Sequence, residues 1–138
     1  MNIFERQCQI LGINAASSAS LWERVRDGLP AQTILRLERA GLDKQVVFEI
    51  LGSPGTLRRR LREGSRLTQV ESDRAARLAE LIAHAERLFG DNDKAMYWLN
   101  RPSIELDRTY APAALARTSV GADMVRERLF QAEHGMCA

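Results

Sequence analysis

Thr56-Leu-Arg-Arg-Arg-Leu-Arg-Glu-Gly-Ser-Arg66 places five of the chain's eighteen arginines within eleven residues, with Glu63 as its one acid. Arginine forms planar, forked contacts with phosphate oxygens and with guanine edges, which lysine does not. A surface of this composition is suited to a polyanion. Leu57 and Leu61 are four apart and share one side of a helical wheel. Arg58, Arg59 and Arg62 lie on the opposite side, and Arg60 flanks the apolar edge. Thr56, Arg58, Arg59, Arg62 and, in the following loop, Arg66 are therefore the candidate DNA contacts. The plainer reading is a solvated charged face.

No other residue set offers chemistry of comparable strength. The two histidines stand apart: His84 at the edge of an apolar stripe, His134 beside Gly135 at a helix end. Neither belongs to a pair with metal-ligand spacing, and no nucleophile elbow or glycine-rich phosphate loop is present. Most carboxylates alternate with arginine at helical spacing, as ion pairs do. An enzyme is not expected, nor any metal or cofactor. Cys8 and Cys137 sit at opposite ends without metal-type neighbours, and a disulfide between them is not expected.

The charge is unevenly spread. Residues 56–89 hold 8 basic and 5 acidic residues, whereas 1–55 hold 6 of each and 90–138 hold 6 and 7. Apolar residues make up 45% of the 138, enough for a core and too many for a disordered tail. No apolar run approaches a membrane span, and Met1-Asn-Ile-Phe-Glu-Arg is too polar for a signal peptide. A soluble cytoplasmic protein is expected, with no membrane partner.

The elements that would position the arginines are all helical. Phe4, Cys8 and Leu11 predict a short first helix, and the small polar run 14–20 makes residues 1–20 an arm or a loosely docked helix. Ser20 is placed to cap a helix with Leu21, Trp22 and Val25 inward. Ile34, Leu35 and Leu37 form the apolar side of the next helix, and Val46, Val47, Ile50 and Leu51 that of a third opened by Asp43. Gly52-Ser53-Pro54 then breaks the chain before the arginine helix. A helix, a tight turn with glycine and a second helix with a basic outer face are the sequence form of a helix-turn-helix. Gly55, early in that second helix, costs about 1 kcal/mol against alanine.

Thr68-Gln-Val-Glu71 is a capping box that opens a long helix with Ala75, Leu78, Ala79, Ile82, Ala85 and Phe89 on one stripe. Asp91 opens another that Pro102 ends. Residues 102–111 are loop, whose Ile104, Leu106 and Tyr110 must tuck inward or meet a partner. Pro112 starts one further turn, and a last helix places Val125, Leu129 and Ala132 together before Gly135. Trp22, Tyr97, Trp98 and Phe130 are expected in the core. The fold class is all-α and compact: an arm or helix over 1–20, a helix-turn-helix module over 21–67, a connecting helix over 68–89 and a small helical domain over 90–138.

The segments AERLFGDNDKAMYWLNRPSIEL and PAALARTSVGADMVRERLFQAEHG resemble the toxin-binding domain of Xre/MbcA/ParS-type antitoxins. The matching residues include Leu88-Phe89-Gly90, Ala95, Trp98-Leu99, Pro102, Leu106, Pro112, Leu115, Thr118, Gly121, Val125, Leu129 and His134-Gly135. Upstream, LPAQTILRLERAGL through TLRRRLREGSRLTQVESDRAARLAEL is similar to the Xre-like helix-turn-helix that such antitoxins carry. The paired resemblance covers residues 28–138. Asp107-Arg108 stand where the family usually has glycine, the linker to Pro112 is a residue longer, and the turn before Thr56 is a residue shorter.

The resemblance implies two partners. One is a RES-domain toxin, an NAD⁺-consuming protein whose active-site cleft the C-terminal domain would cover. The other is the operator DNA of the chain's own promoter. On this footing Arg126, Phe130 and Glu133 of the last helix, with the tail His134, Gly135, Met136, Cys137 and Ala138, form the expected toxin contact. A homodimer is expected because a two-fold dimer reads both halves of a palindromic operator. Two other readings stay open. One is a stand-alone repressor whose C-terminal helices only dimerise. The other is an adaptor without DNA binding.

Overall fold

The computed structural model describes residues 1–135, and these form an all-helical protein. The elements run α1 (Ile3–Leu11), α2 (Ser18–Asp27), α3 (Thr33–Arg39), α4 (Lys44–Leu51), α5 (Pro54–Glu63), α6 (Gln69–Phe89), α7 (Asn92–Leu99), a 3-10 helix (Pro112–Arg117) and α8 (Ser119–Glu133). Among the described residues, β-type pairing is confined to two isolated bridges, Pro30 with Arg66 and Ser103 with Asp107.

Helix α6 is the axis. Its capping box forms: the Thr68 hydroxyl accepts from the Glu71 amide at 3.1 Å, and the Glu71 carboxylate accepts from the Thr68 amide at 2.9 Å. Ala75, Leu78, Ala79, Leu81, Ile82 and Ala85 are buried along its length. Helices α1, α2, α4, α7 and α8 and the 3-10 helix all pack on it. One continuous apolar core results, reaching from Ile10 to Leu129. The segment expected to connect two modules is thus the shared wall of both.

Residues 3–11 are docked rather than forming a loose arm. Cys8, Ile10 and Leu11 are buried, and the Gln7 amide donates to the Ala76 carbonyl at 2.8 Å. Arg6 pairs with Glu86 at 2.7 Å. Glu86 also accepts from the Asn92 amide at 2.7 Å, which donates in turn to the Ala40 carbonyl at 2.9 Å. One carboxylate therefore ties α1, α6 and α7 together. Burial works against its charge, and the Arg6 and Asn92 hydrogen bonds outweigh that, leaving the carboxyl below its usual range.

Several aromatic residues expected in the core lie outside it. Helix α2, capped by Ser17 rather than Ser20, buries Leu21 and Val25. These are four residues apart, and Trp22, one step round the wheel, is left 58% exposed with the Arg26 guanidinium 5.1 Å from its ring centroid. Tyr97 and Phe130 are likewise exposed. On their helices the inward positions are held by Ala95, Met96 and Leu99, and by Val125 and Leu129. Leu35 sits at the exposed edge of α3, while Ile34 and Leu37 face inward.

Trp98 is half-buried, its ring centroid 6.1 Å from that of Phe89. Truncating a fully buried aromatic typically costs about 3–5 kcal/mol. For a half-buried indole, Trp98→Ala is expected to cost roughly 2 kcal/mol, read as a lowered midpoint in a thermal melt.

Candidate nucleic-acid and toxin interfaces

Helix α5 begins because Ser53 caps it and Pro54 occupies its first turn. The Ser53 hydroxyl donates to the Thr56 hydroxyl at 2.8 Å, so Thr56 helps to fix the turn. Leu57 is fully buried and Leu61 partly so, which anchors the helix by the expected face. Gly64 ends it with φ 67°.

The five arginines separate into two groups. Arg58, Arg59 and Arg62 are exposed, and none forms an ion pair among the described residues. Arg60 turns inward: its Nε lies 2.9 Å from Glu71 Oε1, and Nη2 donates to Oε2 at 3.3 Å. This pair binds α5 to the first turn of α6. Arg66 is held to the helix-turn-helix frame, donating to the Gly28 carbonyl at the end of α2 at 2.8 Å. The outer face of α5 is therefore cationic and uncompensated at three positions.

Sequence reasoning did not single out Lys44 or Arg117, which stand beside this face. Lys44 Nζ and Arg58 Cζ lie 5.7 and 5.6 Å from the Phe48 ring centroid. Arg117 reaches back to donate to the Glu49 carbonyl at 2.9 Å. A position 68 residues away in sequence gives no local sign of that contact.

At the other end, α8 is held to α6 by side chains that had been expected to face a partner. Arg126 donates to Glu80 at 3.0 Å and to Asp123 at 2.6 Å. Burial opposes its charge, but Glu80 and Asp123 keep the guanidinium above its usual value. Glu133 pairs with Arg87 at 3.1 Å. Phe130 and His134 are exposed and meet as tilted rings with centroids 4.1 Å apart. Gly135 is exposed at the end, and Met136, Cys137 and Ala138 lie outside the described residues.

An open groove of about 570 Å³ has Tyr110, Val120 and Met124 in its walls. All three are exposed apolar side chains. Val120 and Met124 are four apart on α8 and could have been found as an apolar pair off the Val125–Leu129 stripe.

Two family models match this chain. Residues 20–80 match the antitoxin Xre-like helix-turn-helix domain, and residues 84–135 match the antitoxin Xre/MbcA/ParS C-terminal toxin-binding domain. The chain is 32% identical over 120 residues to Antitoxin Xre of Pseudomonas putida, covering 87% of this chain and 75% of the relative. This chain belongs to the Xre/MbcA/ParS-type antitoxins. It is also 30% identical over 129 residues to Antitoxin Xre of Yersinia enterocolitica and to that of Photorhabdus laumondii, in each case covering 91% of this chain and 86% of the relative. The Xre-like match ends at Glu80 and the toxin-binding match begins at His84. Both boundaries fall inside α6, so the two modules of this antitoxin divide a single helix. No helix among the described residues is long and apolar enough to cross a membrane.

Proposed function

We propose that this antitoxin neutralises a RES-type, NAD⁺-consuming toxin by covering its active site, and represses its own operon as a homodimer through α5. The observation that carries the DNA half is the uncompensated row Arg58, Arg59 and Arg62 on a helix anchored by Leu57. Phosphate attraction and base-edge forks both follow from those guanidinium groups. Thr56 and Arg66 flank the row, Thr56 at the helix start and Arg66 in the loop beyond.

The toxin half is supported by the match of residues 84–135 to a toxin-binding domain and by what α8 leaves outward there. Phe130, its ring against that of His134, offers an aromatic contact at the helix end. Arg126 and Glu133, at the edge of their ion pairs with α6, border it. The residues that follow, Met136, Cys137 and Ala138, belong to the same proposed contact. Inhibition is by occlusion, and the antitoxin contributes no chemistry.

Deletion of residues 134–138 tests this reading. In a cell-free assay with an adjacently encoded RES-domain protein, the truncated antitoxin is expected to leave NAD⁺ loss unchecked at stoichiometric concentration, with operator binding intact. Full neutralisation by the truncated chain moves the contact to the 102–112 loop. Failure of the full chain to co-purify with such a toxin favours a repressor whose C-terminal helices only dimerise.

A further inference from the structure

We infer that the operator surface extends beyond the helix-turn-helix, and that a basic groove walled by Arg117, a residue of the toxin-binding module, takes a DNA backbone phosphate. This rests on the reading of α5 as the DNA-contacting helix.

The groove is open and holds about 780 Å³ between α4, the start of α5 and Arg117. Buried Phe48 lines it, with both Lys44 and Arg58 placed over its ring. Ser53 lines it at the turn. Three cations from three segments thus face one acid, Glu49, and that carboxylate accepts a hydrogen bond from the Gln45 amide at 3.3 Å. Lys44 forms no ion pair or hydrogen bond among the described residues.

Arg117 is set in place from behind. Arg74 Nε donates to its carbonyl at 3.1 Å, and Arg77 Nη2 does so at 3.2 Å. Arg74 also reaches the Leu51 carbonyl at the end of α4, at 3.4 Å. The Arg117 guanidinium spends only Nη1 on the Glu49 carbonyl, and its other N–H groups have no partner among the described residues. Like charges are crowded here: burial, then Arg117 and Arg77, push the Arg74 guanidinium below its usual value. An anion in the groove relieves that repulsion.

The groove is continuous with the arginine face, because Arg58 lines one and belongs to the other. In a helix-turn-helix the first helix crosses the DNA backbone as the second enters the major groove. Here that first helix is α4, which brings Lys44 and the groove to the strand edge. Lysine, arginine and serine at such an edge are phosphate contacts, which position the protein without reading sequence.

The test is the salt dependence of binding to the chain's own promoter, measured by fluorescence anisotropy with the full chain. Arg117→Gln keeps an N–H donor for the Glu49 carbonyl and removes the charge, whereas Arg117→Lys keeps the charge. Arg117→Gln is expected to lower the slope of log Kobs against log salt by roughly 0.9 per subunit, and Arg117→Lys to leave it unchanged. The loss is expected to be equal on operator and scrambled DNA. A wild-type slope for Arg117→Gln, while loss of Arg58, Arg59 and Arg62 still abolishes binding, overturns the groove and leaves the α5 reading standing. If neither change moves the slope, both readings fail. A wild-type slope with lost toxin capture assigns the groove to the toxin and also overturns the proposal. Should Arg117→Gln melt early, Arg117→Met, assayed below its own midpoint, carries the same test with the same outcomes.

Discussion

Substituting Arg58, Arg59 and Arg62 together by alanine is expected to abolish operator binding and leave toxin neutralisation intact. If each guanidinium neutralises one phosphate, each loss lowers the log–log salt slope by roughly 0.9 per subunit. A member that reads a base edge instead costs about 1–3 kcal/mol and relaxes preference at that base. The fold should survive, because all three side chains are exposed and without ion pairs among the described residues. Alanine is the better helix former, which offsets the stacking of Arg58 on Phe48, worth about 0.5–1 kcal/mol at an exposed site. A thermal melt close to wild type together with a flat gel-shift titration is the expected pair of results. Wild-type affinity in the triple variant means that α5 is not the reading helix. By contrast, Arg60→Ala breaks the pair with Glu71, so its effect on DNA binding would be mixed with loss of structure.

Arg59 and Arg62 stand opposite Leu57 and Leu61 on the wheel, whereas Arg58 and Arg60 flank the apolar side about equally, so it is the Glu71 carboxylate that sends Arg60 inward and leaves Arg58 out. The capping box at Thr68 and the Gly52-Ser53-Pro54 break were legible before any coordinates, because caps and turns are decided by a few adjacent residues. What sequence did not supply was the choice of face where two faces are both apolar. Trp22 beside Leu21, Tyr97 beside Met96 and Phe130 beside Leu129 are such cases, and only the direction of α6 decides which member goes inward. Contacts between distant residues were hidden for the same reason. The docking of α1 depends on Gln7 meeting Ala76 and Arg6 meeting Glu86. Arg117 looked like one surface charge among many until α4 placed the Glu49 carbonyl beside it. Of the candidate DNA contacts, Arg58, Arg59 and Arg62 share one open face, whereas Arg66 is spent on the Gly28 carbonyl.

Gly121→Ala is expected to destabilise the C-terminal module strongly, against what helix propensity says. Gly121 lies in the first turn of α8, where its amide donates to the capping Thr118 hydroxyl at 2.9 Å. By propensity alone, alanine there should add about 1 kcal/mol. The packing reverses the sign. A Cβ on Gly121 would lie 1.9 Å from the Leu115 carbonyl oxygen and 2.8 Å from its carbon. Those are backbone atoms of the 3-10 helix, whose Ala113 and Ala116 are fully buried, so no flexible side-chain tip can give way. Helix α8 and the 3-10 helix must separate, and overpacking of this kind typically costs about 1–3 kcal/mol. Arg117 and the start of α8 then shift together, so toxin capture and the salt slope are both expected to fall. Gly55→Ala is the control. It is also helical, a Cβ there meets nothing within 4 Å, and it should raise the midpoint or leave it unchanged. A higher midpoint for Gly121→Ala as well would mean that propensity governs both sites and that α8 does not rest directly on the Leu115 backbone.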